Sequence, residues 1–232
     1  MIRIEKVDKR FDDVQALKDV SLTIEDGSVY GLVGTNGSGK TTLLKLVTGV
    51  FRPDSGKITY DSEPVYENPA VKEHITFIPD ELFFYGAYNL NEMGCMYRGI
   101  YDNWNEDRFN MLTDKLGLNM KKRISRFSKG MQKQAAFCLA ISTMPDCLVL
   151  DEPVDGLDPM VRKLVWDSIL NDVKERNMTV LVSTHNLKEI EGICSHIGII
   201  YKGRVVLEQK LNSSDEDLEE LFLSAMGGEV NA

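Results

Sequence analysis

Apolar residues along this chain fall into two periods. Alternating or β-branched runs at Ile2–Val7, Val20–Glu25 and Val29–Val33 predict three strands, the last entering a glycine-rich loop. A helical pattern follows over Thr41–Thr48, then a turn at Pro53-Asp54-Ser55-Gly56, a strand at Lys57–Tyr60 and a short strand, Ile75–Ile78, that stops at Pro79. From about Leu82 to Phe127 the texture changes to Met-, Tyr- and Asn-rich segments, with helices predicted over Leu90–Tyr101 and Glu106–Leu116. The earlier alternation then resumes: helix Lys129–Thr143, strand Cys147–Leu150, helix Met160–Glu175, strand Thr179–Ser183 and a short helix Leu187–Ile193. Ile197–Tyr201 and Arg204–Glu208 read as a hairpin turning at Lys202-Gly203. An acidic tail from Ser214 carries Leu218, Leu221, Phe222 and Ala225 at helical spacing, which predicts a helix docked by one face. The reading is a single α/β domain: a core from 1–81 and 128–210, an inserted helical lobe over about 82–127, and a C-terminal helix within 211–232.

Composition narrows this picture. The 232 residues suit one domain with an insertion, and a 43% hydrophobic fraction is ample for a core. A net charge of −9 argues against broad nucleic-acid binding, which needs excess Lys and Arg, but a nucleotide needs only a few local donors. Cys95, Cys138, Cys147 and Cys194 lack CxxC spacing and lie in or beside apolar runs, so small buried thiols in a reducing cytosol are expected. MIRIEKVDKR has no apolar signal-peptide core, and the longest uncharged stretch, Gln134–Pro145, is too short to cross a bilayer. Any membrane work is then expected to need another subunit.

The most specific local signal is Gly34-Thr35-Asn36-Gly37-Ser38-Gly39-Lys40-Thr41, which fits GxxxxGK[ST] between an apolar strand and a helix. Glycines let successive backbone N–H groups turn inward around a phosphate, and the helix N-terminus adds a favourable dipole. Lys40 then reaches the β/γ oxygens and the Thr41 hydroxyl ligates Mg²⁺. A chance match in a chain this long is on the order of one per cent. Cys147-Leu148-Val149-Leu150-Asp151-Glu152 is an apolar strand ending in two acids. Alone it is moderately specific; beside a phosphate loop, Asp151 would hold Mg²⁺ through water and Glu152 would orient and polarise the attacking water.

Three further segments decide among phosphate-loop proteins. Phe127-Ser128-Lys129-Gly130-Met131-Gln132 places Ser128 23 positions before Asp151. Asp155-Gly156-Leu157-Asp158 follows Pro153, and Ser183-Thr184-His185 ends a strand. In this order the segments resemble the signature, D-loop and H-loop of the ATP-binding cassette (ABC) transporter nucleotide-binding subunits, and the resemblance runs from Phe11 to about Glu208. It implies a P-loop NTPase of ABC type, with a mixed-sheet core, an N-terminal antiparallel β subdomain and an inserted α-helical subdomain. It also implies an ATPase that binds ATP and Mg²⁺, powers a separately encoded membrane permease, and sits peripherally on the cytoplasmic face of the cell membrane.

The resemblance assigns further roles. His185 becomes a γ-phosphate contact, where alone it would read as a polar strand end. Phe11 stands where the family stacks an aromatic ring on adenine, against the alternative of a core aromatic. Thr42 joins the phosphate loop. Ser128, a helix N-cap in any case, Gly130 and Asp158 are expected to contact ATP held by a second nucleotide-binding subunit, as homo- or heterodimer.

The chain also departs from the family. Asp80 of Ile78-Pro79-Asp80-Glu81 occupies the place of the Q-loop glutamine, where it is either a metal or water contact or a solvated loop acid. Lys129 and Met131 replace a glycine and a glutamine of the signature. The SKGM-type signature, EPxxGLDP and LEELFLSAMGGE resemble the bacterial drug and antibiotic export branch. Seven aromatics (Phe83, Phe84, Tyr85, Tyr88, Tyr97, Tyr101 and Trp104) fall within 22 residues; they are either the lobe's core or, in part, a groove for a helix of the membrane partner. The rival readings are a soluble ABC ATPase acting on ribosomes or DNA, and an ATP-dependent switch with little turnover. A single domain, an acidic balance and only 111 positions between Lys40 and Asp151 disfavour the former.

Overall fold

The computed structural model describes residues 1–211 and 218–230, with side chains to 225. Two sheets organise the chain. The first is antiparallel, in the order β2-β1-β4-β5, formed by β1 (Ile2–Phe11), β2 (Val14–Ile24), β4 (Ser55–Tyr60) and the two-residue β5 (Glu63–Pro64). The second has six strands in the order β10-β9-β3-β8-β7-β6: β3 (Val29–Val33), β6 (Ile75–Ile78), β7 (Cys147–Asp151), β8 (Thr179–Thr184), β9 (His196–Tyr201) and β10 (Arg204–Lys210). All its neighbouring pairs are parallel except the β9–β10 hairpin. Every residue of β3, β7 and β8 is buried, which explains their continuous apolar runs: helices cover both faces, so no side needs to be polar.

The helices are α1 (Lys40–Val47), the single turn α2 (Pro69–Lys72), α3 (Leu90–Ile100), α4 (Glu106–Lys115), α5 (Lys129–Ser142), α6 (Pro159–Arg176) and α7 (Leu218–Val230). Their starts follow from local chemistry. The Asn89 side chain accepts from the Glu92 N–H while Glu92 accepts from the Asn89 N–H, closing a capping box for α3. Asn105, Ser128 and Asp158 cap α4, α5 and α6 by accepting from backbone N–H groups of the first turn, and Pro159 opens α6 where its missing N–H costs nothing. Asn177 ends α6 in the left-handed conformation.

Two apolar clusters fill the interior. One joins the antiparallel sheet to α1 and the near side of the second sheet through residues such as Ile4, Leu22, Tyr30, Leu43 and Val149. The other continues from Val33, Leu150 and Val180 into the lobe residues Leu90, Met93, Phe109 and Leu112. Each fully buried aliphatic or aromatic side chain contributes roughly 1.5–3 kcal/mol. The lobe is further tied to α6 by Arg108, which donates two hydrogen bonds to Asp172 (2.8 and 2.7 Å) at a carboxylate that Arg176 also reaches (3.3 Å).

The structure corrects several expectations. β1 and β2 are longer than the runs at Ile2–Val7 and Val20–Glu25 because bulges break their alternation: Lys6 and Asp19 have φ of 49° and 51°, and the register shifts on either side of Val7. The expected helix Leu187–Ile193 shrinks to one 3₁₀ turn, Leu187–Glu189. Cys95 is exposed, whereas Cys138, Cys147 and Cys194 are buried. Burial pushes the thiols of Cys147 and Cys194 up to about 12, so both stay neutral. In the tail, Leu218 is buried and Leu221 and Phe222 pack against the main core; 212–217 and 231–232 lie outside the described residues. Among the described residues no helix is long and apolar enough to cross a membrane.

Candidate functional site

Parallel pairing brings distant motifs to one edge. Val33 stands beside Thr184, Asp151 beside Ser183, and Ile78 beside Leu150, so the residues that follow each strand emerge side by side. They meet in an open cleft of about 380 Å³ lined by Val14–Ala16, Asn36–Thr42, Asp80, Glu152, Lys202 and Gly203.

The phosphate loop is packed tightly from behind. A Cβ on Gly34 would stand 2.4 Å from the Ile200 carbonyl oxygen, and Gly39 has φ 111°, so neither position admits a side chain without rearrangement. Lys40 begins α1, is 6% exposed, and donates to the carbonyls of Gly34 (2.8 Å) and Thr35 (3.4 Å); its Nζ lies 3.4 Å from Glu152 Oε1. The other oxygen of the same carboxylate, Oε2, lies 3.0 Å from His185 Nδ1 and accepts from the His185 N–H at 3.4 Å. Glu152 therefore bridges Lys40 and His185 through its two carboxylate oxygens.

Glu152 reaches this position from a left-handed backbone, φ 48°, which costs on the order of 1 kcal/mol for a residue with a side chain. Its N–H donates to the Ser183 carbonyl (3.2 Å) and Oγ (3.3 Å), and its carbonyl accepts from Lys133 Nζ (3.0 Å). One residue earlier, Asp151 is buried; its Oδ1 accepts from Ser183 Oγ at 2.5 Å, and its Oδ2 has no hydrogen-bond partner among the described residues. Behind His185, Thr184 Oγ1 donates to the buried Glu189 carboxylate at 3.0 Å, holding the strand end that presents the histidine.

The model for the ABC transporter family matches residues 17–155, more than half of the chain. The chain belongs to that family. It is 35% identical over 221 residues to the ABC transporter ATP-binding protein YtrB of Bacillus subtilis, covering 95% of this chain and 73% of that one. It is 33% identical over 228 residues to the lantibiotic transport ATP-binding protein SrtF of Streptococcus pyogenes, covering 96% of both. Among solved structures, a dimeric post-hydrolysis ATP-binding cassette bound to ADP and Pi superposes with a TM-score of 0.82 at 21% identity, covering 92% of this chain and all of that one. The fold is that of the ABC cassette, and the chain is an ATP-binding, ATP-hydrolysing transporter subunit.

Within the ABC frame, the motifs divide by place. Residues 36–42 of the phosphate loop and the helix start, with Asp80 and Glu152, line one cleft. His185 touches the Glu152 carboxylate and Asp151 precedes it at the end of β7, while Gly34 and Thr35 stand outside the lining and accept from Lys40 through their carbonyls. Phe11 ends β1 opposite Val14 and is 38% exposed, packed edge-to-face on Phe51 at 5.3 Å, with Lys9 Nζ 5.3 Å from its ring centre. It is not part of the cleft lining, which starts at Val14. Nor are Ser128, Gly130 and Asp158: Ser128 and Asp158 cap α5 and α6, and Gly130 faces Gly156 and Leu157.

Sequence reasoning passed over Val14–Ala16, Lys202 and Gly203. The Gly203 N–H donates to the Ser38 carbonyl (2.9 Å), so the hairpin turn that the sequence did predict forms one wall of the site. It also passed over Lys133, whose ammonium pairs with Asp80 at 3.2 Å.

A hard divalent cation suits this edge. Asp151 Oδ2 is a buried carboxylate oxygen without a hydrogen-bond partner among the described residues, Thr41 supplies a hydroxyl on the cleft wall, and Mg²⁺ characteristically takes few protein ligands, keeping waters and phosphate oxygens. Among the described residues there is no cluster of three or more His, Cys, Asp or Glu that would suit a metal held by protein alone.

Proposed function

We propose that this subunit drives an exporter: two copies, or this chain and a related one, close around two ATP molecules beneath separately encoded permease subunits. The observation that carries the reading is the convergence of Lys40 and His185 on the two oxygens of one carboxylate, Glu152, at the mouth of the phosphate loop. In this reading the N–H groups of Gly34, Thr35, Asn36, Gly37, Ser38 and Gly39 cradle the phosphates, with Thr42 beside them. Lys40, now held by backbone carbonyls and Glu152, exchanges those acceptors for the β/γ oxygens, and His185 contacts the γ-phosphate. Glu152 orients the attacking water and accepts its proton. Thr41 and Asp151 would hold Mg²⁺, which neutralises charge developing on the phosphate oxygens, while Asp80 lines the cleft edge with its carboxylate paired to Lys133. Phe11 offers a π face to adenine from beside the cleft. Ser128, Gly130 and Asp158 lie outside the cleft and would serve the nucleotide of the second subunit.

The export direction rests on the resemblance of the SKGM-type signature, EPxxGLDP and LEELFLSAMGGE to the bacterial drug and antibiotic export branch, in keeping with the likeness to a lantibiotic transport protein over 96% of both chains. The permease contact is supported by the lobe, where Phe83, Tyr85 and Tyr88 are exposed and touch one another, whereas Phe84, Tyr97 and Trp104 pack against the core. The division 1–81 with 128–210, about 82–127 and 211–232 is kept as the proposed domain plan.

Glu152→Gln tests the reading. The full-length variant should retain ATP, hydrolyse it about 10²–10⁴-fold more slowly than wild type, and elute as a dimer with MgATP in size-exclusion chromatography. Wild-type phosphate release in this variant would refute the assignment of the base. Purification from detergent-solubilised membranes should bring down an integral membrane protein, and its absence would remove the transport coupling.

A further inference from the structure

Lys133 lies one turn into α5, with its side chain only 16% exposed. A lysine that deep needs acceptors for its ammonium, and it has two: Asp80 Oδ1 at 3.2 Å and the Glu152 carbonyl at 3.0 Å. Its stem runs beside Ile78, Pro79, Phe137 and Leu150, an apolar wall that leaves the ammonium to be satisfied at the stem's end. One cation therefore spans three segments: the helix that Ser128 caps, the loop after β6, and the turn after β7.

Both acceptors raise a problem that the ammonium resolves. Glu152 is held in a left-handed conformation, and its carbonyl must find a donor there. Asp80 places a carboxylate on the wall of a cleft that receives phosphates, where an uncompensated negative charge opposes binding.

We propose that Lys133 is a positioning residue of the ATPase site, fixing the backbone turn that aims Glu152 at Lys40 and His185 and offsetting the charge of Asp80 beside the nucleotide. The two duties separate kinetically. Tethering Glu152 acts on the chemical step, because the base must be held within tenths of an ångström; neutralising Asp80 acts on nucleotide binding. This rests on the proposed role of Glu152 and sharpens it.

The test measures kcat and KM for MgATP hydrolysis, and the Kd of a fluorescent ATP analogue, in the full-length chain and in Lys133→Met, Lys133→Arg, Asp80→Asn and Lys133→Met with Asp80→Asn. Lys133→Met should lose about tenfold in kcat and weaken nucleotide binding several-fold. Adding Asp80→Asn should restore the Kd to within about twofold of wild type while kcat stays low, and Lys133→Arg, which keeps charge and donors, should stay within about threefold in both. Should Lys133→Met fail to fold, Lys133→Gln replaces it with the same expectations for Kd. The proposal is overturned by wild-type kinetics in Lys133→Met, by a Kd that Asp80→Asn does not recover, or by equal losses in Lys133→Arg. Absence of turnover in the wild-type chain, or wild-type turnover in Glu152→Gln, would instead refute the underlying role of Glu152.

Discussion

The edge of the parallel sheet and the exposed end of the lobe are built on opposite terms. At the sheet edge the charged groups are held by their neighbours: Lys40 has two carbonyls and a carboxylate, Glu152 has Lys40, His185, Ser183 and Lys133, and Asp151 has Ser183. Along Phe83–Tyr88 the rings lean on each other (5.8 and 5.4 Å), and Phe83 is 80% exposed. Chemistry is set by strand register, which a single side chain cannot shift. The proposed coupling contact is set by surface carried on a segment that meets the core through α4–α5 packing and the Arg108–Asp172 pair. A catalytic site gains from being over-determined, whereas a surface that hands motion to a partner gains from being able to pivot.

The sharpest break of this contrast is Lys40→Ala, which removes the buried cation from the phosphate loop. ATP turnover by phosphate release should fall by about 10²–10³-fold with the fold intact by circular dichroism. A loss under tenfold would mean that the cleft is less pre-organised than its contacts imply. Next is Arg108→Met, which leaves Asp172 buried with one fewer cation. Urea unfolding should show a loss of about 2–4 kcal/mol, Arg176 keeping it below that of a fully unpaired acid. An unchanged midpoint would mean that the lobe is held by apolar packing alone. Third, Phe83→Ala with Tyr85→Ala should shift stability by less than about 1 kcal/mol and leave isolated ATPase activity within about twofold, while abolishing recovery of the membrane partner. Loss of folding in these variants would make the strip part of the lobe's core and dissolve the comparison.

The smallest effect lies where β1 meets β4. The Lys9 ammonium, helped by the Arg10 N–H, holds the Asp54 carboxyl below the usual carboxylate range, and Ser55 Oγ with the Asp19 N–H does the same for Asp8. Both folded pKa values lie under the reference of 3.8, so this stabilisation is present above about pH 4 and is lost as pH falls through the folded values. Asp54→Asn should lower Tm at pH 7 by about 2 °C, and the gap should narrow as pH is brought below about 4. A gap independent of pH would show that the side chain acts there by shape and not by charge.

The phosphate loop and the acid-terminated β7 were legible because their function demands fixed residue types at fixed spacing within one stretch of chain. The buried strands β3, β7 and β8 were legible because continuous apolar runs have few other uses. The first half of β2, Val14–Asp19, was not, since its burial alternates only after the register shifts. The turn at Leu187–Glu189 read as a longer helix because Leu187, Ile190 and Ile193 keep helical spacing, although Gly192 turns the backbone to φ 69°. Lys133 was invisible because it acts across space: it looked like one more polar residue at the start of α5, and its partners lie 53 and 19 positions away. The split among the seven lobe aromatics was foreseen in kind, but which ring faces outward depends on how α3 packs, which spacing alone does not encode.

The strand order has a consequence for how the protein is made. β3, which leads into the phosphate loop, pairs with β8 and β9, and Val29 waits for Val180, a partner that leaves the ribosome on the order of 150 residues later. The Gly203 N–H that braces Ser38 comes later still. A nascent chain that already displays the complete GxxxxGK[ST] loop therefore lacks the β8 and β9 neighbours of β3 and the Gly203 side of the cleft. The wall of the site is completed only once β8, β9 and the turn at Gly203 have been made.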